Sequence, residues 1–458
     1  MPAILPTPTS SSPAPLALNP GYLIPVSAVA ALGGVLFGFD LVIISGAVPF
    51  FKVHYALDEV GTGWAVGCIN LGSAAGALLA GRLSDTLGRK KLLLLCAFLF
   101  AATGVGTGWA PSFGLFIAAR MLSGVAVGAA ALVAPMYLAE IAPATVRGRL
   151  VSFYQLAITV GLLLAYLSNY FLLNTGENNW RYMFSSQTAP AVLFFAGLLF
   201  VPESPRWLVK RRREREAETV LTRIGGATYA GTEVTQIRAS FGVETTESVG
   251  DLFRPDVRHI VLLGVLIAVF SQADGQNSLF SYVPEIFAQA GMGQDTAFLQ
   301  SVLLGVVNFA FTFIAIRTID RVGRRRLLLW GAGLLAAIAT GLAVCFAVGA
   351  PAVLTLGLVM GFIATFAATL GPVTWVALSE LFPNRIRGNA MALATLALWL
   401  ANFFTTASFP ILKENLGLPG TFLVHAGICA VYFFLVRRRV PETKGRSLEE
   451  IEALLVRK

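Results

Sequence analysis

Two charged residues stand alone inside long apolar runs: Asp40 in LFGFDLVIISG and Arg120 in FIAARMLSGVAVG. A charged side chain near the middle of a bilayer costs about 2.5–3.5 kcal/mol on insertion scales, so an acid placed there is a functional candidate by default. Arg120 is the one base inside an apolar run, which makes it the expected partner of Asp40. Burial favours the neutral acid and a neighbouring guanidinium favours the carboxylate. A conformational change that alters their separation would therefore couple proton binding to movement. A purely structural ion pair is the alternative.

Six amides also interrupt apolar runs: Gln155, Gln272, Gln276, Asn277, Asn308 and Asn402. An amide offers a donor and an acceptor on one rigid plane and is a poor lipid-facing group, so these residues either line a polar site or hydrogen-bond between helices. Asp274, in SQADGQNSLFSY, has two readings: a second titrating or hydroxyl-binding group, or the cap of a half-helix at a break marked by Gly275. His425 and His54 have no nameable partner in the sequence and read as packing or surface residues.

A third set of charges repeats. GRLSDTLGRKK is echoed by IDRVGRRR, YLAEIAPATVRGR by VALSELFPNRIRG, and PESPRW by PETKGR. Asp85 and Asp320 are 235 positions apart, Glu140 and Glu380 are 240 apart, as are Arg147 and Arg387, and Glu203 and Glu442 are 239 apart. With Arg89 and Arg324, these acids and bases sit at helix ends on one face. There they can form salt bridges between two bundles that exist only when that side is closed, biasing a two-state equilibrium. The alternative is that the bases only enforce topology.

The elements that must carry these residues are membrane helices. The chain is 56% hydrophobic and 13% charged, with mean hydropathy +0.73. Only lipid tolerates so much outward apolar area. Coiled coils, disordered regulators, nucleic-acid binders and disulfide scaffolds are excluded. Apolar stretches able to cross ~30 Å of hydrocarbon occur near 23–50, 60–81, 91–110, 113–138, 150–173 and 184–201, then near 258–290, 298–317, 327–349, 352–378, 388–411 and 418–436. The expected fold is an all-α membrane protein of twelve transmembrane helices in two pseudo-symmetric six-helix bundles, residues 23–202 and 256–437, with short intracellular helices between.

Of 34 Lys and Arg, 30 fall in the tails, the loops on one face and their flanks, so the formal charge of +9 is a positive-inside signature that places both termini in the cytoplasm. Residues 1–22, rich in Pro, Ser and Ala, read as a disordered tail and not a signal peptide. Residues 203–255 read as an amphipathic helical linker too short for a core of its own, and 438–458 as a cytoplasmic C-terminal helix or tail. Cys68, Cys96, Cys345 and Cys429 lie in apolar runs without metal-ligand spacing, so no metal site and no cofactor is expected. No HExxH, GxSxG or P-loop string occurs, so the chain is not expected to be an enzyme.

At these motifs the sequence resembles the sugar porter family of the major facilitator superfamily. The likeness runs from about residue 25 to 450 through GRLSDTLGRKK, RMLSGVAVG, PMYLAEIAPATVRGRL, QLAITVG, PESPRWL, GPVTWVALSELFPNRIRG, WLANF and PETKGRSLEE. The resemblance implies import of a hexose or pentose by alternating access. It implies that Gln155, Gln272, Asn277, Asn308 and Asn402 contact sugar and that Trp375 is the aromatic plate, with Phe37, Phe280 and Trp399 lining nearby; Gln276, a midspan amide, is a further substrate-binding candidate by residue type alone. It also implies a proton pair at Asp40 and Arg120, since the uncoupled branch lacks that acid. An uncoupled facilitator and a non-transporting sensor are the alternatives. Departures from the pattern, Ser271, Gln276, Ser281 and Asp274, leave the sugar open. The expected setting is a multi-pass monomer in a bacterial inner membrane, with sugar, proton and lipid as partners and no nucleic acid.

Overall fold

The structure, a computed structural model, describes residues 18–240, 249–445 and Glu450. Most of the expected N-terminal and C-terminal tails, and part of the linker, lie outside the described residues. Every regular element described is helical. The first half comprises α1 (Pro20–His54), α2 (Glu59–Leu87), α3 (Arg89–Gly108), α4 (Phe113–Ile141), α5 (Ala144–Leu172) and one span shared by α6 (Asn179–Ser186) and α7 (Thr188–Phe200). The linker carries α8 (Pro205–Lys210), α9 (Glu214–Ser240) and a 3-10 turn at Val249–Phe253. Its helices are longer than the sequence suggested: α9 runs 27 residues, interrupted at Gly226.

The second half repeats the pattern. One span is shared by α10 (Arg258–Ala273) and α11 (Gln276–Gln289), followed by α12 (Gln294–Val322) and α13 (Arg324–Val348). Another span is shared by α14 (Ala352–Ala368) and α15 (Leu370–Leu381), and the last element is α16 (Arg387–Arg439). Eleven of these spans are long and apolar enough to cross a membrane, and the eleventh is 53 residues long. At ~1.5 Å per residue it would run about 80 Å if straight, yet Phe409 and His425 stack with ring centroids 6.4 Å apart. The helix therefore folds back on itself at Gly417, where the backbone leaves helical geometry, and the chain crosses twelve times.

Hydrophobicity cannot hold helices together in lipid, so close backbone packing must. In α2 and α4, Gly72, Gly76, Gly124 and Gly128 form two small-xxx-small pairs. A Cβ at any of them would run into a carbonyl of the facing helix, Met121, Val125, Ile69 or Ser73. Gly38 of α1 and Gly161 of α5 meet in the same way, against the carbonyls of Ile158 and Val35. On its other side α1 packs against α4, where a Cβ at Gly33 would lie 3.3 Å from that of Ala134, and the two contacts together set the depth at which Asp40 faces Arg120.

Candidate functional site

Asp40 and Arg120 meet in the interior of the first half, 0% and 1% exposed. Arg120 donates from NH1 to Asp40 Oδ1 at 2.5 Å, and the Ser123 hydroxyl donates to Oδ2. Ser123 lies one turn beyond Arg120 on α4, so both donors project from one helix face toward the same carboxylate. The guanidinium is only partly satisfied. Its Nε and NH2 find no hydrogen-bond partner, and the Phe184 ring lies 5.6 Å away beneath it. Sequence reasoning missed Ser123, although its i,i+3 spacing from Arg120 was visible.

The amides divide into a cluster and a scatter. Asn277 donates to Gln272 at 2.5 Å and Gln276 donates to Asn277 at 2.8 Å, so three of the six form one chain across the α10–α11 junction. Asn308 on α12 and Asn402 on α16 are buried, and the Asn402 side-chain oxygen has no partner. Gln155 on α5 is half-buried. Phe37 and Trp399 face each other across the two halves, their rings 5.9 Å apart. Phe280 is buried, and its carbonyl accepts from Tyr166 of the other half at 3.0 Å. Trp375 stands 39% exposed on α15.

The junction itself is built by Asp274 and Gly275. Gly275 has φ 94°, a left-handed conformation that suits glycine. Asp274 Oδ1 accepts from the backbone N–H of Gln276 at 3.0 Å and so caps α11. Of the two sequence readings, capping is observed here, but Oδ2 remains buried without a partner. His425 is buried too, packed on this break and not at the surface. His54 sits in a polar and aromatic cluster with Arg181, Tyr55 and Trp180.

The repeated charges form two matching cages at the basic face. In the first half, Arg89 donates to both oxygens of Glu140 at 2.8 and 2.9 Å and to Asp85 at 3.1 Å. Glu203 accepts from the backbone N–H of Arg89 and Lys90, and Ser204 donates to Glu140. In the second half, Arg324 reaches Glu380 and Asp320, both at 3.0 Å. Glu442 accepts from the Arg324 N–H at 2.9 Å, and Thr443 donates to Glu380. Both loops turn on a glycine of positive φ, Gly88 at 97° and Gly323 at 100°, where any Cβ would meet the Glu203 or Glu442 carboxylate.

The bonds that Asp85, Arg89, Glu140, Arg147, Glu203, Asp320, Arg324, Glu380, Arg387 and Glu442 make here stay on their own side of the interface; salt bridges between the bundles are expected of them only when this face is closed. Arg147 donates to the Ala142 carbonyl and Arg387 to the Phe382 carbonyl. The reason is conformational. Links between the halves lie at mid-membrane and at the face opposite the basic loops: Asn70 to Thr406 at 3.3 Å, Tyr166 to Phe280, and Asn174 to Asp295 at 3.2 Å. Gly63 also packs against the Ala407 carbonyl there.

A family model described as "Sugar (and other) transporter" matches residues 26–455. This chain belongs to that sugar transporter family. The transporter is 37% identical to the arabinose-proton symporter of Bacillus subtilis, over 95% of this chain and 96% of the relative. It is 38% identical to the D-xylose-proton symporter of Escherichia coli strain K12, again over 95% and 96%. Among solved structures it is similar to the inward-open xylose transporter XylE from E. coli, with a TM-score of 0.85 at 36% identity, covering 94% of this chain and all of the other. That likeness agrees with halves joined away from the basic face.

Proposed function

We propose that the transporter imports a monosaccharide, a hexose or pentose, by alternating access, and that a proton enters with each sugar through Asp40 and Arg120. The observation that carries this reading is the buried Asp40–Arg120–Ser123 group on the helices that also pack against the amide-bearing ones. Gln155, Gln272, Gln276, Asn277, Asn308 and Asn402 supply bidentate hydrogen bonds to sugar hydroxyls. Trp375, with Phe37, Phe280 and Trp399, supplies apolar faces to the ring. Rocking of residues 23–202 against 256–437 about this site alternates its exposure, with the linker 203–255 joining them.

The basic face is cytoplasmic by the positive-inside rule, so both termini lie in the cytoplasm of a bacterial inner-membrane protein acting as a monomer. The two cages are the fixed half of a gate: each presents Arg147 or Arg387 for a partner across the interface when the cytoplasmic side closes. The test is uptake of labelled glucose, xylose, fructose and galactose into proteoliposomes, with and without an imposed pH gradient. Accumulation of one sugar above equilibrium only with the gradient is expected. Equilibration unaffected by the gradient would instead identify an uncoupled facilitator.

A further inference from the structure

The proton pair of the first half has no counterpart by repeat, because the second half has no buried base opposite an acid in the described spans. It does hold another group that the transport cycle above leaves unused. Asp274 is fully buried at the α10–α11 break, with one oxygen spent on capping α11 and the other orphaned. Pressed onto the same break from the returning limb of α16 is the imidazole of His425. A Cβ at Gly275 would lie 2.7 Å from its Cγ and 2.8 Å from its Nδ1. His425 Nδ1 stands 3.3 Å from the Ala273 carbonyl, which makes Nδ1 the N–H donor and leaves Nε2 a bare acceptor, also buried and without a partner.

The titratable groups packed on this break are His425, against Gly275 and the Ala273 carbonyl, Cys429, whose thiol lies 3.8 Å from the Asp274 carbonyl, and Tyr432, all on α16. Among the described residues no lysine or arginine pairs with Asp274. A buried carboxylate without a counter-cation is far costlier than the neutral acid. The neutral acid gains an O–H at the orphaned Oδ2, and the neutral imidazole, held by Nδ1 on the Ala273 carbonyl, keeps an unpartnered lone pair on the same break.

We propose that Asp274 and His425 form a second proton-binding site, located in the C-terminal half and independent of Asp40 and Arg120. Its position links it to substrate. The oxygen that caps α11 holds the backbone of Gln276, and the Gln276 amide begins the hydrogen-bonded chain through Asn277 to Gln272. A proton arriving or leaving at Asp274 therefore changes the electrostatics of the α10–α11 turn from which those three amides project. Only this consequence for sugar rests on the proposed transport function; the proton site itself does not.

The experiment needs no sugar. Infrared difference spectra of the full-length transporter in lipid, taken across a pH step, record each carboxyl that gains or loses a proton. The expected result is a carboxylic-acid C=O band that disappears in Asp274→Asn, persists in Asp40→Asn, and shifts its titration midpoint in His425→Phe. Asn at 274 keeps the oxygen that caps α11 and mimics the neutral acid. A difference spectrum unchanged by Asp274→Asn would overturn the site. If that variant does not fold, an unshifted band set in His425→Phe would overturn it equally. Neither result bears on Asp40, whose role is read from accumulation.

Discussion

Replacing Asp40 with Asn separates the two consequences of the buried pair. The substitution keeps the volume and removes the one anion that Arg120 touches among the described residues, leaving a guanidinium that is 1% exposed with Nε and Nη2 already unpartnered. Breaking a buried pair from one side costs about 3–5 kcal/mol. At ~1.4 kcal/mol per tenfold, that is roughly two to four orders of magnitude against the conformation that buries Arg120. The Phe184 ring at 5.6 Å offsets a small part, on the order of 0.5–2 kcal/mol. Adding Arg120→Met removes the stranded charge, so the double variant should melt closer to wild type than Asp40→Asn alone. Function should separate from stability. With one proton per sugar, each unit of pH gradient supports about tenfold accumulation in wild type. Asp40→Asn, alone or with Arg120→Met, should equilibrate labelled sugar without accumulating it while still exchanging internal for external sugar. Proteoliposomes loaded at one pH and diluted into another give both readouts. Full gradient-driven accumulation by Asp40→Asn would refute the coupling argument, however unstable the variant.

Asn277→Ala removes the centre of the Gln276–Asn277–Gln272 chain, and the loss of about 1–3 kcal/mol expected for a buried hydrogen-bonding partner should weaken sugar binding roughly 5- to 150-fold in equilibrium titrations. Glu140→Ala strips Arg89 of its bidentate partner and frees Ser204; sugar transport should slow while affinity measured from outside stays, and unchanged uptake would remove Glu140 from the gate. Gly161→Ala drives a methyl into the Val35 carbonyl, so α1 and α5 must part, lowering stability by at least the ~1–3 kcal/mol of core overpacking in thermal melts. Burial pushes the Glu203 carboxyl above the ordinary carboxylate range against backbone donors at Ser204, Lys90 and Arg89. A group raised on folding contributes stability at low pH that is lost as pH rises through its folded value, so melting temperature should fall over that window in wild type and lose this slope in Glu203→Gln.

Much of this protein could be read before any coordinates. Twelve spans, their division into two sixes and the gathering of the basic loops on one face follow from hydropathy and from Lys and Arg placement, because lipid leaves a chain few other options. The lone charges Asp40 and Arg120 were visible for the same reason, since nothing else in their runs could answer them. The repeat of Asp85, Glu140 and Glu203 at Asp320, Glu380 and Glu442 showed that the two halves carry matching charges, but not that each set closes on itself, since Arg89 finds Glu140 51 residues and Glu203 114 residues away.

Partner choice across distant helices was not legible. No spacing rule says that Glu140 serves Arg89 and not a base of the other half. That depends on which face of the molecule is open, and one sequence encodes both conformations. Nor could sequence decide between capping and titration for Asp274. Its first oxygen answers a local backbone N–H two residues on, which the Asp-Gly pair hinted at. Its second oxygen, and the His425 ring against Gly275, depend on α16 folding back 150 residues later. Composition and pattern determined the solvent, the number of helices and the residues that lipid would not tolerate; tertiary packing decided which of those residues meet, because close approach in lipid is set by glycine-to-carbonyl contacts between helices that no one-dimensional pattern orders.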